Sequence, residues 1–174
     1  MDATAISATD LDVASLVLRL ALGPMLVLHG LNKVRGGLSG TESWFESLGL
    51  RPGWLHARVA AATEIGAGVL VTLGLLTGLA SMAFVGLMTV AALTDHRGKG
   101  YFIFKGGWEY VVLVAMVAVG LAVVGPGRWS LDSALGLDLA GLGWGAVALV
   151  GGLAGAAALL LTSYRPQQTT RSNA

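Results

Sequence analysis

Long apolar segments separated by short polar stretches run through the chain, and their lengths predict α-helices that cross a lipid bilayer. Such a helix needs about 20 mostly apolar residues. Residues 11–31, 108–124 and 137–161 each form one segment of this kind. Residues 59–94 would make one helix about 54 Å long, well beyond a bilayer core of about 30 Å, so this stretch is expected to turn near residues 74–78 and cross twice. The pattern predicts an all-α membrane protein with five spans.

The composition supports a membrane location. Hydrophobic residues make up 55% of the sequence and charged residues 12%, which is about half the charged fraction of a soluble domain. The chain has no cysteine, which excludes disulfides and thiolate chemistry carried by the chain itself.

The positive charges give the five-span prediction an orientation. Arg128 falls on one side of the membrane, Arg19 lies within a span, and the other basic residues fall together on the opposite side. These are Lys33, Arg35, Arg51, Arg58, Arg97, Lys99, Lys105, Arg165 and Arg171. Because Lys and Arg accumulate in cytoplasmic loops, the N-terminus is expected outside and the C-terminus in the cytoplasm.

The first cytoplasmic loop carries a pattern of its own. Ser39 and Glu42 fit a capping box, and Trp44, Phe45 and Leu48 follow on one helical face. This pattern predicts a short helix that lies in the membrane interface. The alternative is a polar linker that happens to contain a tryptophan.

Four ionisable residues fall inside or at the edge of the predicted spans, where an unpaired charge is costly. They are Arg19, His29, Glu64 and Glu109. In the first span, Arg19, His29 and Lys33 share one helical stripe. Arg19 is expected to have a structural role, through pairing or by extending its head to the interface.

Glu64 is aligned with small residues, a pattern that faces a packed helix and not lipid. It lies about 10 Å from the cytoplasmic end of its helix, and His29 lies about 3–5 Å from the same side. Glu109 begins the fourth span beside Trp108. These titratable groups are expected to converge near the cytoplasmic face, with His29 as the best hydrogen-bond partner for Glu64.

Two interpretations of this cluster stay open. In the first, Glu64 pairs with His29, Lys33 or Arg19 and only fixes the helix packing. In the second, the cluster binds a polar headgroup such as a quinone carbonyl, or relays protons, because intramembrane ionisable residues are commonly functional. Haem is not expected, since His96 lies in a loop, and the sequence has no nucleotide-binding or metal-ligand motif.

Several short motifs, in their order and spacing, resemble the DoxX family of small bacterial membrane proteins. They are LRL at residues 18–20, HGLNK at 29–33, SLGL at 47–50, EIGAG at 64–68, LGLLT at 73–77, GGWEY at 106–110 and GPGRWSLD at 125–132. The resemblance implies a four-helix transmembrane bundle in the bacterial plasma membrane. It also implies redox chemistry, since relatives include subunits linked to thiosulfate:quinone oxidoreduction and complexes with superoxide dismutase and a sulfurtransferase.

The resemblance also suggests how the chain is divided. Residues 1–10 form an extracytoplasmic tail, 11–132 the DoxX-like four-helix core, 133–162 an additional transmembrane helix, and 163–174 a cytoplasmic tail. The fifth segment lies beyond the family core, where it could pack a partner or a second copy of the chain, or complete the bundle.

The sequence favours a redox-associated subunit over a stand-alone enzyme. Such a subunit would bind quinone or dock a soluble redox protein at the cytoplasmic face. The candidate cofactor-binding residues are Arg19, His29, Lys33, Glu64, Trp108 and Glu109. A scaffold without cofactor is the alternative. Small-solute transport ranks last, because Pro24 has no counterpart in the other spans. The lipid bilayer is the expected environment, and nucleic acid is not expected as a partner.

Overall fold

The fold is helical, as the apolar pattern predicts. The structure is a computed structural model that describes residues 6–166, and within this range it has seven α-helices, one 3₁₀ turn and no β-strand beyond an isolated bridge between Leu50 and Tyr164. The helices are α1 (Ala8–Arg35), α2 (Leu38–Leu48), α3 (Gly53–Leu73), α4 (Thr77–Leu93), α5 (Glu109–Val124), α6 (Leu131–Ala134) and α7 (Leu142–Ser163). The all-α prediction is confirmed for these residues.

The boundaries of the long helices follow the breakers in the sequence. The apolar stretch 59–94 divides as expected, because α3 ends at Gly74 in the left-handed region and α4 starts at Thr77. Helix α5 ends before Gly125. By length and composition α1 and α7 could each cross a membrane, while α4 and α5 are shorter apolar helices. The count of four spans plus one stays a prediction.

The short helix in the first loop forms, but its predicted cap is wrong. Helix α2 begins after Gly37, which takes a positive φ and provides no side-chain cap. Because the chain enters the helix there, Ser39 lies inside the first turn and its carbonyl accepts a hydrogen bond from the hydroxyl of Ser43. Phe45 is buried beside Leu50 and Ala57 in a small core under α2.

A helix pair and a group of three helices make up most of the bundle. Helix α1 packs along α3, and α4 packs against α5 and α7. A Cβ on Gly23 of α1 would lie 2.7 Å from the carbonyl oxygen of Gly68 on α3, so these two backbones touch without side chains between them. The main core lies between the pair and the group of three, and it includes Leu26, Phe84 and Leu121.

Successive long helices alternate in direction, which gives the bundle two distinct ends. We call the end where the C-termini of α1, α4 and α7 meet the N-termini of α3 and α5 the basic end, because it carries the predicted cytoplasmic charges. Arg171, one of those charges, lies outside the described residues. The opposite end holds the turn between α3 and α4 and the segment 125–132.

The start of α4 is capped from a distant part of the chain. Leu76 takes a φ of 50° in the left-handed region, where a side chain is disfavoured. The backbone N–H groups of Leu76 and Thr77 donate to the two carboxylate oxygens of Asp132 at 2.7 and 2.9 Å. Asp132, at 1% exposed, thereby ties α6 to the turn at the opposite end.

Candidate functional site

A large cavity opens between the helices at the basic end. Its volume is about 800 Å³, and α1, α2, α3, α4, α5 and α7 all contribute to its walls. Most of these walls are apolar, formed by residues such as Met25, Phe45, Leu87 and Leu159. A mainly apolar cavity with a few polar groups is typical of a binding site for a small organic ligand.

The central polar feature of the cavity is an ion pair between α1 and α3. The ammonium of Lys33 donates to both carboxylate oxygens of Glu64, at 2.6 and 2.7 Å. Both side chains are mostly withdrawn from the surface, with 15% of Lys33 and 8% of Glu64 exposed. The pair neutralises the charge of each group and leaves a strong dipole in an apolar wall.

The expectation that His29 is the partner of Glu64 is wrong. A Cβ on Gly30 would lie 3.0 Å from the Cβ of Glu64, so Gly30 marks the line of closest approach between α1 and α3. His29 sits one residue off that line and stays exposed, while Lys33 lies nearly one turn further on and reaches back with its flexible chain. His29 nevertheless lines the cavity.

A phenol from the fourth long helix also faces the cavity. Tyr110 lies in the first turn of α5, and its hydroxyl donates to the sulfur of Met25 on α1. A thioether is a weak acceptor, so this hydroxyl could exchange that contact for a stronger one with a ligand oxygen.

Three of the residues predicted to bind a cofactor lie outside this cavity. Arg19 is fourteen residues before Lys33, about 21 Å along the helix, and contacts Thr72 and Trp129 at the opposite end. Glu109 accepts a hydrogen bond from the backbone N–H of Ile103 at 2.7 Å. Trp108 packs edge-on against Tyr101. The latter two organise the loop between α4 and α5, of which Ile103 reaches the cavity.

The cavity also contains polar residues that were not predicted as site residues. His56 at the start of α3, and Asp95 and His96 just after α4, all line it. His96 is held through Nδ1 by the carbonyl of Gly106 at 2.6 Å. The sequence showed that these residues lie at helix ends. It did not show that the loop between α4 and α5 folds inward toward the cavity. Among residues 6–166, no group of three or more His, Cys, Asp or Glu is placed to hold a metal ion.

Comparison with known proteins gives the family. A DoxX family model matches residues 14–97. The chain is 33% identical over 121 residues to "Putative oxidoreductase CatD" of Bacillus subtilis, which covers 70% of this chain and 86% of that protein. The chain belongs to the DoxX family.

Other relatives of this DoxX protein are named as membrane proteins. It is 28% identical to the inner membrane protein YphA of Escherichia coli, over 69% of this chain and 89% of that protein. It is likewise 28% identical to an uncharacterized membrane protein of Mycobacterium tuberculosis, over 68% of this chain and 78% of that protein. No solved structure gives a significant match. The DoxX chain is therefore a membrane protein, as its composition predicts.

The family match and the cavity overlap only in part. The matched residues 14–97 contain most of α1 and all of α2, α3 and α4, with Lys33, Glu64, His56 and His96. Tyr110 and the wall from α7 lie beyond the match. In that wall, Gly152 of α7 approaches Gly86 of α4 so closely that a Cβ on Gly86 would lie 3.2 Å from the Gly152 carbonyl oxygen. In this DoxX protein, α7 is thus a structural part of the cavity.

Proposed function

We propose that this DoxX protein is a redox-associated membrane subunit whose cavity at the basic end binds the headgroup of a quinone. The observation that carries the proposal is the combination of an apolar cavity of about 800 Å³ with the Lys33–Glu64 pair, His29 and Tyr110 in its walls. A quinone has the same character, with an apolar body and two polar carbonyl oxygens.

The side chains present fit such a headgroup. Lys33 has three N–H donors, and its contacts with the two oxygens of Glu64 leave one for a ligand. That donor and the O–H of Tyr110 can hold carbonyl oxygens. A bound quinone would supply the redox chemistry by accepting electrons and protons. Glu64 and His29 are groups that can hold or pass on a proton beside it, while the apolar walls keep bulk water away.

The topology belongs to the same proposal. We place five crossings in the bacterial plasma membrane, with the N-terminus outside and the basic end, including the C-terminus, in the cytoplasm. Residues 11–132 form the DoxX core and 133–162 the additional crossing. The basic end then faces the compartment in which a soluble redox partner would deliver or accept electrons, and the lipid-facing side of α7 is available to a second copy.

One observation favours a second function, that of a scaffold without cofactor. Lys33 and Glu64 already satisfy each other at 2.6 Å, so the pair could serve only to join α1 to α3. In that case the protein would hold soluble partners at the membrane through its basic end, and the cavity would contain lipid.

Tryptophan fluorescence can test quinone binding because Trp44 lines the cavity. The full chain in mild detergent is titrated with a short-chain ubiquinone or menaquinone analogue. We expect saturable quenching that Trp44→Phe largely removes and Trp54→Phe leaves intact, since Trp54 is exposed outside the cavity. Absence of saturable quenching in the unmodified chain would refute quinone binding.

Identification of what co-purifies separates the two functions. Organic extracts of the purified protein are analysed for quinones, and co-purifying proteins are identified from the same sample. Quinone recovered at a stoichiometric level supports the first function. Soluble partners without quinone support the scaffold.

A further inference from the structure

We propose that the opposite end of the bundle carries a second binding site, which takes a phosphate-class anion on Arg19. The side chain of Arg19 is 1% exposed, although it lies in the apolar helix α1. Across residues 6–166, no carboxylate oxygen approaches its guanidinium within salt-bridge distance. A buried cation that makes no direct ion pair is unfavourable, so an anionic ligand would complete this arrangement.

The hydrogen bonds of Arg19 also support an anionic ligand. A guanidinium has five N–H donors. One terminal nitrogen donates to the carbonyl of Trp129 at 2.6 Å, and the other reaches the carbonyl of Thr72 only at 3.5 Å. The Nε–H of Arg19 is buried and has no partner among the described residues. Buried donors are normally satisfied, so the described residues leave part of the hydrogen-bonding capacity of this group unfilled.

The acids near this end are already engaged. Asp132 attracts Arg19 electrostatically, but both of its oxygens accept hydrogen bonds from the backbone of Leu76 and Thr77. Asp12 accepts from the side chain and the backbone N–H of Arg128. Neither carboxylate can therefore turn toward Arg19 without giving up the contacts that order this end.

A space for the anion lies beside these groups. A pocket of about 440 Å³ is lined by Arg19, Arg128, Thr72 and Ser130. Two guanidinium groups around one pocket suit phosphate oxygens, because each planar group can donate two parallel hydrogen bonds. Arg128 keeps 64% of its side chain exposed despite its contact with Asp12, so its remaining donors can reach a ligand.

The rim of the pocket is apolar. Leu73, Trp129 and Leu131 line it and are 47%, 54% and 39% exposed. Such a rim fits the glycerol and acyl region of a phospholipid whose phosphate lies in the pocket. A free phosphate ion has the same oxygens but makes no use of the apolar rim. The shared chemistry is a phosphate group, and its two sources can be separated by experiment.

The test uses the full chain in mild detergent. Lipid retention is measured by native mass spectrometry after equilibration with mixed micelles of phosphatidylglycerol and phosphatidylcholine. In parallel, thermal unfolding is followed in sodium phosphate and in sodium chloride of equal ionic strength. Preferential retention of phosphatidylglycerol that depends on Arg128 assigns the site to a lipid headgroup, and stabilisation by phosphate alone that depends on Arg128 assigns it to the free anion.

Three variants connect either result to the pocket. Arg128→Gln is expected to weaken the preference or the stabilisation about tenfold, the effect of losing one charge-assisted contact. Arg19→Lys, which keeps the charge but not the planar donors, is expected to do the same. Arg58→Gln removes one charge of the same kind at the basic end and is the reference, so its effect on either measurement should be smaller than that of Arg128→Gln.

Two results would overturn the proposal. The first is an unmodified chain that neither prefers phosphatidylglycerol nor gains stability from phosphate. The second is an Arg128→Gln variant that binds as well as the unmodified chain. Because Arg128 is exposed, that variant decides the question even if Arg19→Lys fails to fold.

Discussion

The ammonium of Lys33 on α1 donates to both carboxylate oxygens of Glu64 on α3, at 2.6 and 2.7 Å. This pair joins the two most closely packed helices at the point where they border the cavity. Because Gly30 lies against Glu64, the backbones are close enough for the ion pair to form without water between the groups. The contact therefore belongs both to the fold and to the proposed site.

Glu64→Gln should destabilise the protein, because it leaves the ammonium of Lys33 in an apolar wall without its counter-ion. We expect a loss of about 3 kcal/mol, at the lower end for a broken buried pair, seen as a lower Tm in detergent. Glu42→Gln is the matched control. It breaks the exposed Arg58–Glu42 pair and should cost less than about 1 kcal/mol.

The charge-swapped variant Lys33→Glu/Glu64→Lys separates packing from binding. It restores an ion pair, so its Tm should recover much of the loss in Glu64→Gln. If the cavity binds quinone through Lys33, the affinity for the quinone analogue should stay low, because the donor has moved from α1 to α3. Recovery of both stability and binding would argue against a specific role for Lys33 in the site.

Filling the cavity should block ligand binding without disturbing the bundle. Gly155 of α7 lines the cavity, and a Cβ added there would meet no atom within 4 Å. Gly155→Leu is therefore expected to weaken saturable binding of the quinone analogue at least about tenfold with little change in Tm. Gly120→Leu is the control, because Gly120 on α5 is equally open and lies outside the cavity. Equal binding in both variants would place the ligand elsewhere.

Asp132→Asn should destabilise the turn between α3 and α4. The amide of Asn offers one acceptor oxygen where the carboxylate offers two, so one of the N–H groups of Leu76 and Thr77 loses its partner. The expected cost is about 2 kcal/mol, the upper range for a helix cap, and a lower Tm would report it. Asp138→Asn is the control because Asp138 is exposed. A Tm unchanged by Asp132→Asn would show that the cap contributes little.

Reporter fusions test the five-crossing topology. A reporter after Ala174 should read cytoplasmic and one near Leu131 should read external, since the positive charges concentrate at the basic end. A C-terminal reporter that reads external would contradict the five-crossing topology.

Salt dependence tests how the basic end attaches to other molecules. The relevant side chains are Arg51, Arg58, Arg97, Lys99 and Lys105. Two of them are partly neutralised, Arg58 by Glu42 at 2.6 Å and Lys99 by Asp95 at 3.1 Å. The remaining charge favours anionic lipid headgroups by default, or an acidic soluble protein. A protein partner held by these charges should dissociate at high salt, and a partner retained there must bind through other contacts.

The sequence by itself determined that this protein is helical and lies in a membrane. Apolar length and breakers such as Gly74 and Gly125 are local properties, so the turn between α3 and α4 and the bounds of α5 could be predicted closely. Helix α3 begins at Gly53, six residues before the apolar stretch that predicted it. The small residues around Glu64 correctly indicated a face that packs against another helix. The motif order also led to the DoxX family, which the family match confirms.

Only the tertiary structure decided which of the polar groups meet. A helical stripe gives the direction of a side chain but not its neighbour, so Arg19 appeared with His29 and Lys33 although its contacts lie at the opposite end. Proximity to the same membrane face favoured His29 for Glu64, yet the close approach at Gly30 favoured the longer reach of Lys33. Asp132 caps α4 across 56 residues of sequence from Leu76. Such contacts depend on how whole helices pack, and no local pattern contains that information.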